Sequence, residues 1–523
     1  MKKIQLSKSE YIMFLKHPAW LWLKRNDKKK LPEPDANLQA MFDAGNLFEE
    51  YAEKRFENIT RVGFDSYSEY LDMPDRTQKA LSGGARTLSQ ARFEADIDDY
   101  SITCIVDIIE KVEDNTFDLY EIKSSTKVKP DHIEDLAFQL TVLETAGYKV
   151  RNISVIYCNN SYVRQGDIDT NELTAIEDIS VQVRSKQEST KRNIAAAINT
   201  ISQPSIPDIT PRRAKLNGYR EWLEIFLSIR PVDDKYSIYN LAQITPEQLG
   251  NLEDMHISSI KDVPKDFNLK PVQERQIEAT KLGKPIVDIK KIAKFLDKLE
   301  YPIYFLDYET LASVIPPFDG LKPYQQLPFQ YSLHILNSPD AKLEHREFLH
   351  TLDSNPVPEL LTQLQEDIGN SGSVLVWYEG FEKTCNTLMA NMMPEYKVIL
   401  QSINDRVVDL MVPFQKGWYV DRDFMGSASI KNVLPVIAPE LSYKDMDISE
   451  GASAQRLWMG AVYDHTHNEL DKDKLMESLR AYCELDTYAM VKIFEFLVAI
   501  NNSGGSSLQA MPVNKDFEQQ SLF

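Results

Sequence analysis

Two carboxylates, Asp307 and Glu309, stand two positions apart at the end of the apolar, aromatic run YPIYFLDYETLASV, Tyr301 to Val314. A short run of this kind reads as a buried strand, and residues i and i+2 of a strand share a face. The two acids therefore project side by side, with Tyr308 turned the other way. Like charges held that close repel unless something positive sits between them, and a divalent cation with oxygen ligands answers that need. A strand that has simply reached solvent is the other reading, and the rest of the chain has to decide.

Three further segments carry acids where apolar residues would serve packing better. In the last long helix Leu475, Leu479, Tyr482, Asp486, Met490 and Ile493 recur at the spacing of one apolar face. Asp486 lies in that stripe one turn after Tyr482, and ionised alone there it is costly. Glu382, in VLVWYEGFEKTCNTLM, falls in the first turn of a helix directly after a buried strand, where it either joins a site or answers the helix dipole. In CIVDIIEKVEDNTFDLYEIKSSTKV, Asp107 lies on one strand and Glu121 and Lys123 share a face of the next. Near the N-terminus Leu38, Phe42, Gly45, Glu49, Ala52 and Phe56 form the expected apolar stripe of a helix, with Glu49 inside it. Glu50 falls with Asp43, Asn46, Glu53 and Glu57 on the wet face.

D-x-E on a first strand, an acid opening a middle helix and Y-x-x-x-D on a final helix together resemble the DnaQ-like 3′–5′ exonucleases (the DEDD type with tyrosine) of the RNase H-like fold. The resemblance covers roughly residues 296–500. It implies that Asp307, Glu309, Glu382 and Asp486 hold two magnesium or manganese ions and that Tyr482 positions the attacking water. Two such ions flanking a scissile phosphate account for four acids. The third acid in that family is generally aspartate, whereas here it is Glu382, one methylene longer; Asp409, at a strand end in RVVDLM, is the runner-up and better suited to a supporting role. GSASIKNVLPVIAP looks like the family's Ser-x-Lys segment, which would put Lys431 or Ser429 near substrate phosphates.

Asp107 followed by Glu121-Ile122-Lys123 resembles the PD-(D/E)XK nucleases, in their RecB-like branch. The resemblance implies that Asp107 and Glu121 hold a cation while Lys123 orients and acidifies the attacking water. Gln139, in EDLAFQLTVLE, matches the glutamine of the branch's Q-x-x-x-Y helix, although Leu143 replaces the tyrosine. Glu49 stands four residues after Gly45, where the branch often has histidine, and is the expected extra metal ligand. The opening LSKSEYIMFLKHPAWLWL is similar to the RecB-like start, with His17 where cluster-bearing relatives have cysteine. Both signatures in this order resemble an uncharacterised bacterial two-nuclease family, a domain of unknown function.

The elements that must position these residues follow from length and pattern. At 523 residues the chain exceeds one ordinary core, and domains of roughly 100–200 residues suggest three. The expected organisation is α/β and multidomain: a PD-(D/E)XK restriction-endonuclease-like domain over 1–200, a linker and helical spacer over 201–295, an RNase H-like exonuclease domain over 296–502, and a disordered tail over 503–523. The spacer opens on the Pro-rich ISQPSIPDITP and contains TPEQ, a capping signature at Thr245, Pro246 and Gln248. LAQITPEQLGNLEDMHISSIKDVP resembles a helix-hairpin-helix element, with His256 where its hairpin glycine is usual; a plain helical spacer is the alternative.

Composition narrows the class. With 43% hydrophobic and 26% charged residues the chain reads as soluble and globular. No apolar run approaches the ~18–20 residues of a membrane helix, and Lys16, His17 and Lys24 interrupt the aromatic N-terminus, so a cytoplasmic protein without membrane contact is expected. Cys104, Cys158, Cys385 and Cys483 lack metal-site spacing, so no iron–sulfur cluster, zinc site or disulfide framework is expected and all four read as buried small hydrophobes. The net charge of −20 disfavours nonspecific polyanion binding, yet residues 1–30 carry nine Lys/Arg against two acids. The two resemblances imply a metal-dependent nuclease with two active sites, DNA favoured over RNA as substrate, and a helicase or a repair or defence protein as possible partner. Two alternatives stay open: an RNA-processing exonuclease with a binding-only N-terminal domain, and an inactive nucleic-acid-binding scaffold.

Overall fold

The computed structural model describes residues 3–33, 35–230, 235–443, 446–448, 450–463 and 469–504. The tail expected from 503 thus falls outside the described residues beyond Gly504. The chain is mixed α/β and forms two compact units, Met1–Asp233 with Ser313–Gln325, and Asp234–Ala312 with Gln326–Phe523. The segment read as one spacer, 201–295, divides between them. Among the described residues no helix is long and apolar enough to cross a membrane.

The first unit is built on a seven-stranded sheet: β1 (Ile4–Ser7), β2 (Ile59–Arg61), β3 (Thr87–Ile97), β4 (Tyr100–Glu113), β5 (Thr116–Lys123), β6 (Lys149–Cys158) and β7 (Thr174–Asp178). They lie in the order β2-β3-β4-β5-β6-β7, with β1 parallel to β4. β3, β4 and β5 form an antiparallel meander, whereas β6 is parallel to β5, a pairing that needs a crossover. The Pro130–Thr145 helix supplies it, and Gly147, at φ +91°, ends its turn toward β6.

Side-chain alternation divides the apolar residues of this sheet between its faces. Leu119, Val106 and Val155 pack with the Pro130–Thr145 helix residues Leu136, Phe138 and Leu140. On the other face Ile108, Ile122, Ile156 and Cys158 pack with Phe48 and Ala52 of the Ala36–Glu53 helix and with Val314. That helix corrects the expected stripe. Phe48 and Ala52 are its buried residues, while Leu38 and Phe42 are 39% and 52% exposed, because only its C-terminal half reaches the sheet.

In the second unit β8 (Ile286–Val287) pairs with β14 (Tyr419–Val420), and a separate five-stranded sheet comprises β9 (Ile303–Leu311), β10 (Leu327–Leu336), β11 (Glu344–Leu349), β12 (Ser373–Val376) and β13 (Val407–Asp409). Its order is β11-β10-β9-β12-β13. β9, β10 and β11 are antiparallel neighbours, and β12 and β13 run parallel to β9. The turn entering β12 requires Gly372: at φ +87° its Cβ would lie 2.0 Å from the Pro302 carbonyl oxygen. Phe305 and Leu375 of the sheet pack with Met490, Phe494 and Leu497 of the Glu469–Asn502 helix and with Ile292 and Phe295. Those last two residues, from the sequence read as spacer, are thus part of this unit's core. Thr245 and Gln248 form the expected capping box, and His256 occupies its glycine-like position with φ +57°.

Candidate functional site

β9 ends as its spacing requires. Asp307 and Glu309 lie on the face covered by the Glu469–Asn502 helix, and Tyr308 points away to donate to Asn386 at 2.9 Å. One turn after Tyr482, Asp486 faces them, and carboxylate oxygens of Asp307, Glu309 and Asp486 lie within 4.8 Å of one another. Together with Lys431 and Tyr482 they line a cavity of about 420 Å³, walled by Trp377 and Phe381. Gly451 borders it so closely that a Cβ there would stand 3.5 Å from Glu309 Oε2.

The fourth expected acid is positioned by the supporting one. β13 delivers Asp409, whose Oδ1 accepts from the backbone N–H of Tyr378 and Met411 and whose Oδ2 accepts from that of Glu379. Those bonds hold Tyr378 at φ +91°, a conformation a bulky residue keeps only when its surroundings impose it. Asp409 thereby answers the N-terminus of the Glu379–Met392 helix. Glu382, in the first turn, is released from that duty, 2% exposed, and its Oε2 has no hydrogen-bond partner.

Four acids in one apolar setting repel protons' departure. Burial, then Asp486, Glu309 and Glu382, push Asp307 well above the usual carboxylate range. Burial and Asp486 raise Glu309 to about 8, and burial with Asp409 raises Glu382 to about 8. Asp486 reaches only about 6, because Tyr443, Lys431 and Tyr482 offset its burial. The Tyr443 hydroxyl donates to Asp486 Oδ1 at 2.6 Å, a contact not anticipated from the sequence. Burial and Asp486 push the Tyr482 phenol upward, so it stays protonated and acts as a hydrogen-bond donor. Of the two expected phosphate neighbours, Lys431 lines the cavity, while Ser429 stands before the Ile430–Ile437 helix.

The first unit brings its expected residues together differently. Asp107, on β4, accepts from the Ile122 N–H at 2.8 Å. Glu121 is fully buried: Oε1 accepts from Lys8 at 3.0 Å and Lys123 at 2.5 Å, and Oε2 accepts from Gln139 at 2.5 Å. Asp135, one turn before Gln139, also accepts from Gln139 and Lys123. Burial alone would lower the two lysines, but Asp135 and Glu121 hold both above the ordinary amine range. The same lysines override burial at Asp135 and hold it low. Asp107, by contrast, is raised by burial and by Glu121. Glu49 accepts from Gln90, and burial raises it; Glu50 is exposed. Lys8 and Asp135 were missed in the sequence.

The remaining cysteines and His17 are structural. All four cysteines are buried and free. His17 caps the Pro18–Asn26 helix through Nδ1, donates from Nε2 to the Thr210 carbonyl, and stacks on Trp222 at 3.9 Å. Burial lowers its pKa to about 4.

Residues 304–429 match the family described as Domain of unknown function (DUF2779). That stretch runs from β9 through the strands and helix that carry Asp307, Glu309, Glu382 and Asp409. The chain is also similar to the uncharacterized protein MG366 homolog of Mycoplasma pneumoniae, at 26% identity over 40% of this chain and 34% of the relative. The uncharacterized protein UU173 of Ureaplasma parvum is 24% identical over 38% of this chain and 32% of its own length. The matched chain thus spans about a third of the length of these relatives. A solved structure titled "Crystal structure of SSO0001" aligns over 45% of this chain and 89% of its own, with 11% identity and a TM-score of 0.20.

Proposed function

We propose that the chain is a magnesium- or manganese-dependent nuclease whose second unit is a DnaQ-like, RNase H-fold 3′–5′ exonuclease. The convergence of Asp307, Glu309 and Asp486 within 4.8 Å, in a cavity open to substrate, carries this reading. The sheet suits it, with Asp307 and Glu309 on β9, the central strand between antiparallel β10 and parallel β12. The donor set fits hard divalent cations: the ligands are oxygens, Glu382 Oε2 is a buried acceptor without a partner, and Gly451 leaves the space beside Glu309 unfilled.

Asp307, Glu309, Glu382 and Asp486 would hold the cations, which when bound generate a nucleophilic hydroxide from water and neutralise charge on the leaving oxygen. The chain's own residues do the rest. Tyr482, kept protonated, orients the attacking water through its hydroxyl. Lys431 offers a positive charge to substrate phosphate from the cavity wall. Trp377 and Phe381 line the cavity and would offer aromatic rings for a terminal base to stack on, a contact that tolerates any sequence.

For the first unit the PD-(D/E)XK reading is supported by the meander β3-β4-β5, the crossover helix and the Asp107, Glu121, Lys123 and Gln139 grouping. A cation fits it less readily, because both oxygens of Glu121 are already bonded to Lys8, Lys123 and Gln139. That observation favours a second reading of this unit, in which it grips nucleic acid while the second unit cleaves. DNA is the preferred substrate, with RNA the alternative.

The test uses full-length protein with end-labelled single- and double-stranded DNA and RNA, with magnesium, with manganese and with chelator. Metal-dependent release of mononucleotides from 3′ ends, abolished by Asp307→Asn, is the expected result. Cleavage that persists in Asp307→Asn and in chelator would overturn the assignment.

A further inference from the structure

A second group of ligating side chains lies on the other flank of the helix that carries Asp486. His334 on β10 and His345 on β11 are directly opposed across the antiparallel pair, and their rings stack at 4.5 Å. Glu484 approaches from the Glu469–Asn502 helix, with Oε1 3.8 Å from His345 Nδ1. One ligand atom from each of the three residues lies within 4.8 Å of the others. Glu484 sits two residues from both Tyr482 and Asp486, hence on the opposite side of the helix. Asp486 faces β9, and Glu484 faces β11.

The surrounding hydroxyls fix which ring nitrogens are available. Thr487 Oγ1 donates to the Glu484 carbonyl at 3.1 Å, so it must accept from Ser332 Oγ at 2.7 Å and from His334 Nδ1 at 2.8 Å. Ser332, having given its proton to Thr487, must then accept from His345 Nε2 at 2.9 Å. Only this arrangement satisfies all four contacts. It puts a proton on His334 Nδ1 and on His345 Nε2, so the neutral rings carry their lone pairs on His334 Nε2 and His345 Nδ1. Burial lowers His334 to about 3 and lowers His345 as well, so neither ring carries a proton on those atoms at neutral pH. A ligating histidine whose other ring nitrogen is engaged by a hydrogen bond is the usual state of such ligands in metalloproteins.

We propose that His334, His345 and Glu484 bind a zinc ion that fastens the helix bearing Tyr482 and Asp486 to strands β10 and β11. Two imidazoles and a carboxylate are an established zinc set that leaves a fourth position for solvent. Access is provided by His345 and Glu484, whose side chains are 25% and 35% exposed, while His334 anchors the site from the core. The site is distinct in chemistry from the all-oxygen cluster of Asp307, Glu309 and Asp486, which suits harder cations. Zinc would thus brace the acidic cluster from behind without belonging to it.

Calorimetric titration of zinc into chelator-stripped, full-length protein in saturating magnesium tests this, with thermal melts and the visible absorbance of a cobalt(II) substitute alongside. Wild type and the Asp307→Asn/Glu309→Gln variant should each take a single equivalent, with a rise in melting temperature. His345→Ala and, independently, Glu484→Gln should weaken zinc by at least about tenfold and remove that rise. If His345→Ala does not fold, Glu484→Gln decides. Unchanged zinc affinity in the folded variants, or loss of zinc in Asp307→Asn/Glu309→Gln alone, would overturn the proposal.

Discussion

The Tyr443 hydroxyl donates to Asp486 Oδ1 at 2.6 Å, and its ring stands edge-on to that of Tyr482, one helical turn before the same acid, at 6.2 Å. The two tyrosines should separate on mutation. Tyr443→Phe removes a group that orients a proposed ligand, so it should raise the magnesium concentration needed for half-maximal cleavage by about 10–100-fold. Tyr482→Phe removes the hydroxyl proposed to position water, so the rate at saturating magnesium should fall by on the order of 10²-fold with the metal requirement little changed. Metal titrations of exonuclease rate distinguish them, and identical profiles would show that the hydroxyls are interchangeable.

Without metal the acidic cluster should make stability fall as pH rises. Burial, the largest cause at each, raises Asp486, Glu309 and Glu382 to about 6, 8 and 8 in the folded state, and Asp307 is raised well above the usual carboxylate range. Unfolded carboxyls titrate near pH 4, so between about pH 4 and 8 the folded state binds more protons, and raising the pH favours unfolding. Melting temperature in chelator should therefore decline across this window, and magnesium should restore it most at its alkaline end. Asp307→Asn relieves repulsion and should melt no lower than wild type in chelator at pH 8 while responding less to magnesium. A wild-type curve that rises from pH 5 to 8 in chelator would contradict the cluster's burial.

Asp409 should act through Glu382. Asp409→Ala leaves three backbone N–H groups without their acceptor, a loss of about 1–2 kcal/mol by comparison with helix caps. The Tyr378 turn should relax, displacing Glu382 and lowering the rate along with magnesium affinity. Asp409→Asn retains an acceptor oxygen and should recover part of both; chemical denaturation and metal titration of the pair measure it.

In the first unit Lys8 and Lys123 both pair with Glu121. Lys8→Met leaves Lys123 as the one ammonium on Glu121 Oε1 and should strengthen magnesium binding there, at a cost of about 1.5–3 kcal/mol for the lost charged hydrogen bond. Glu121→Ala or Lys123→Ala should remove any cleavage belonging to this unit and leave the exonuclease activity proposed for the second unit untouched. Loss of all cleavage in either folded variant would rule out independent sites.

Glu49 and Glu50 provide a paired comparison on one helix. Glu49→Gln keeps the shape but removes a charge whose field reaches Asp107, so substrate or metal binding in this unit should change about tenfold. Glu50→Gln, at an exposed position, should stay within about 0.5 kcal/mol of wild-type stability and leave binding unaltered. Equal effects in a metal titration would remove Glu49 from the site.

Which parts of this arrangement were legible depended on whether a period fixed the side chain's direction. Strand alternation placed Asp307 with Glu309, and helical spacing placed Asp486 with Tyr482, because both rules act within one element. Lys8 reaches Glu121 across 113 residues of sequence, a distance no local period spans. Its one signal was a lysine at the first position of the Lys8–Lys16 helix, where the dipole disfavours positive charge. Asp135 was visible in the same sense, as an acid four residues before Gln139 and so on the same face of its helix. Tyr443 lies outside any regular element, so nothing in the pattern aimed it at Asp486. The Leu38 and Phe42 expectation failed since amphipathicity says which face is apolar, not how far the neighbouring sheet extends.

The first unit is completed by residues 313–325, and Val314 is buried in it beside Phe48 and Ile122. The polypeptide therefore crosses between the units three times, at 233, 312 and 325. A gene cut once near position 295 would strip one product of a core valine and deprive the other of Ile292 and Phe295. Recombination at a single joint cannot exchange either half intact, so the two units should be inherited, and lost, together.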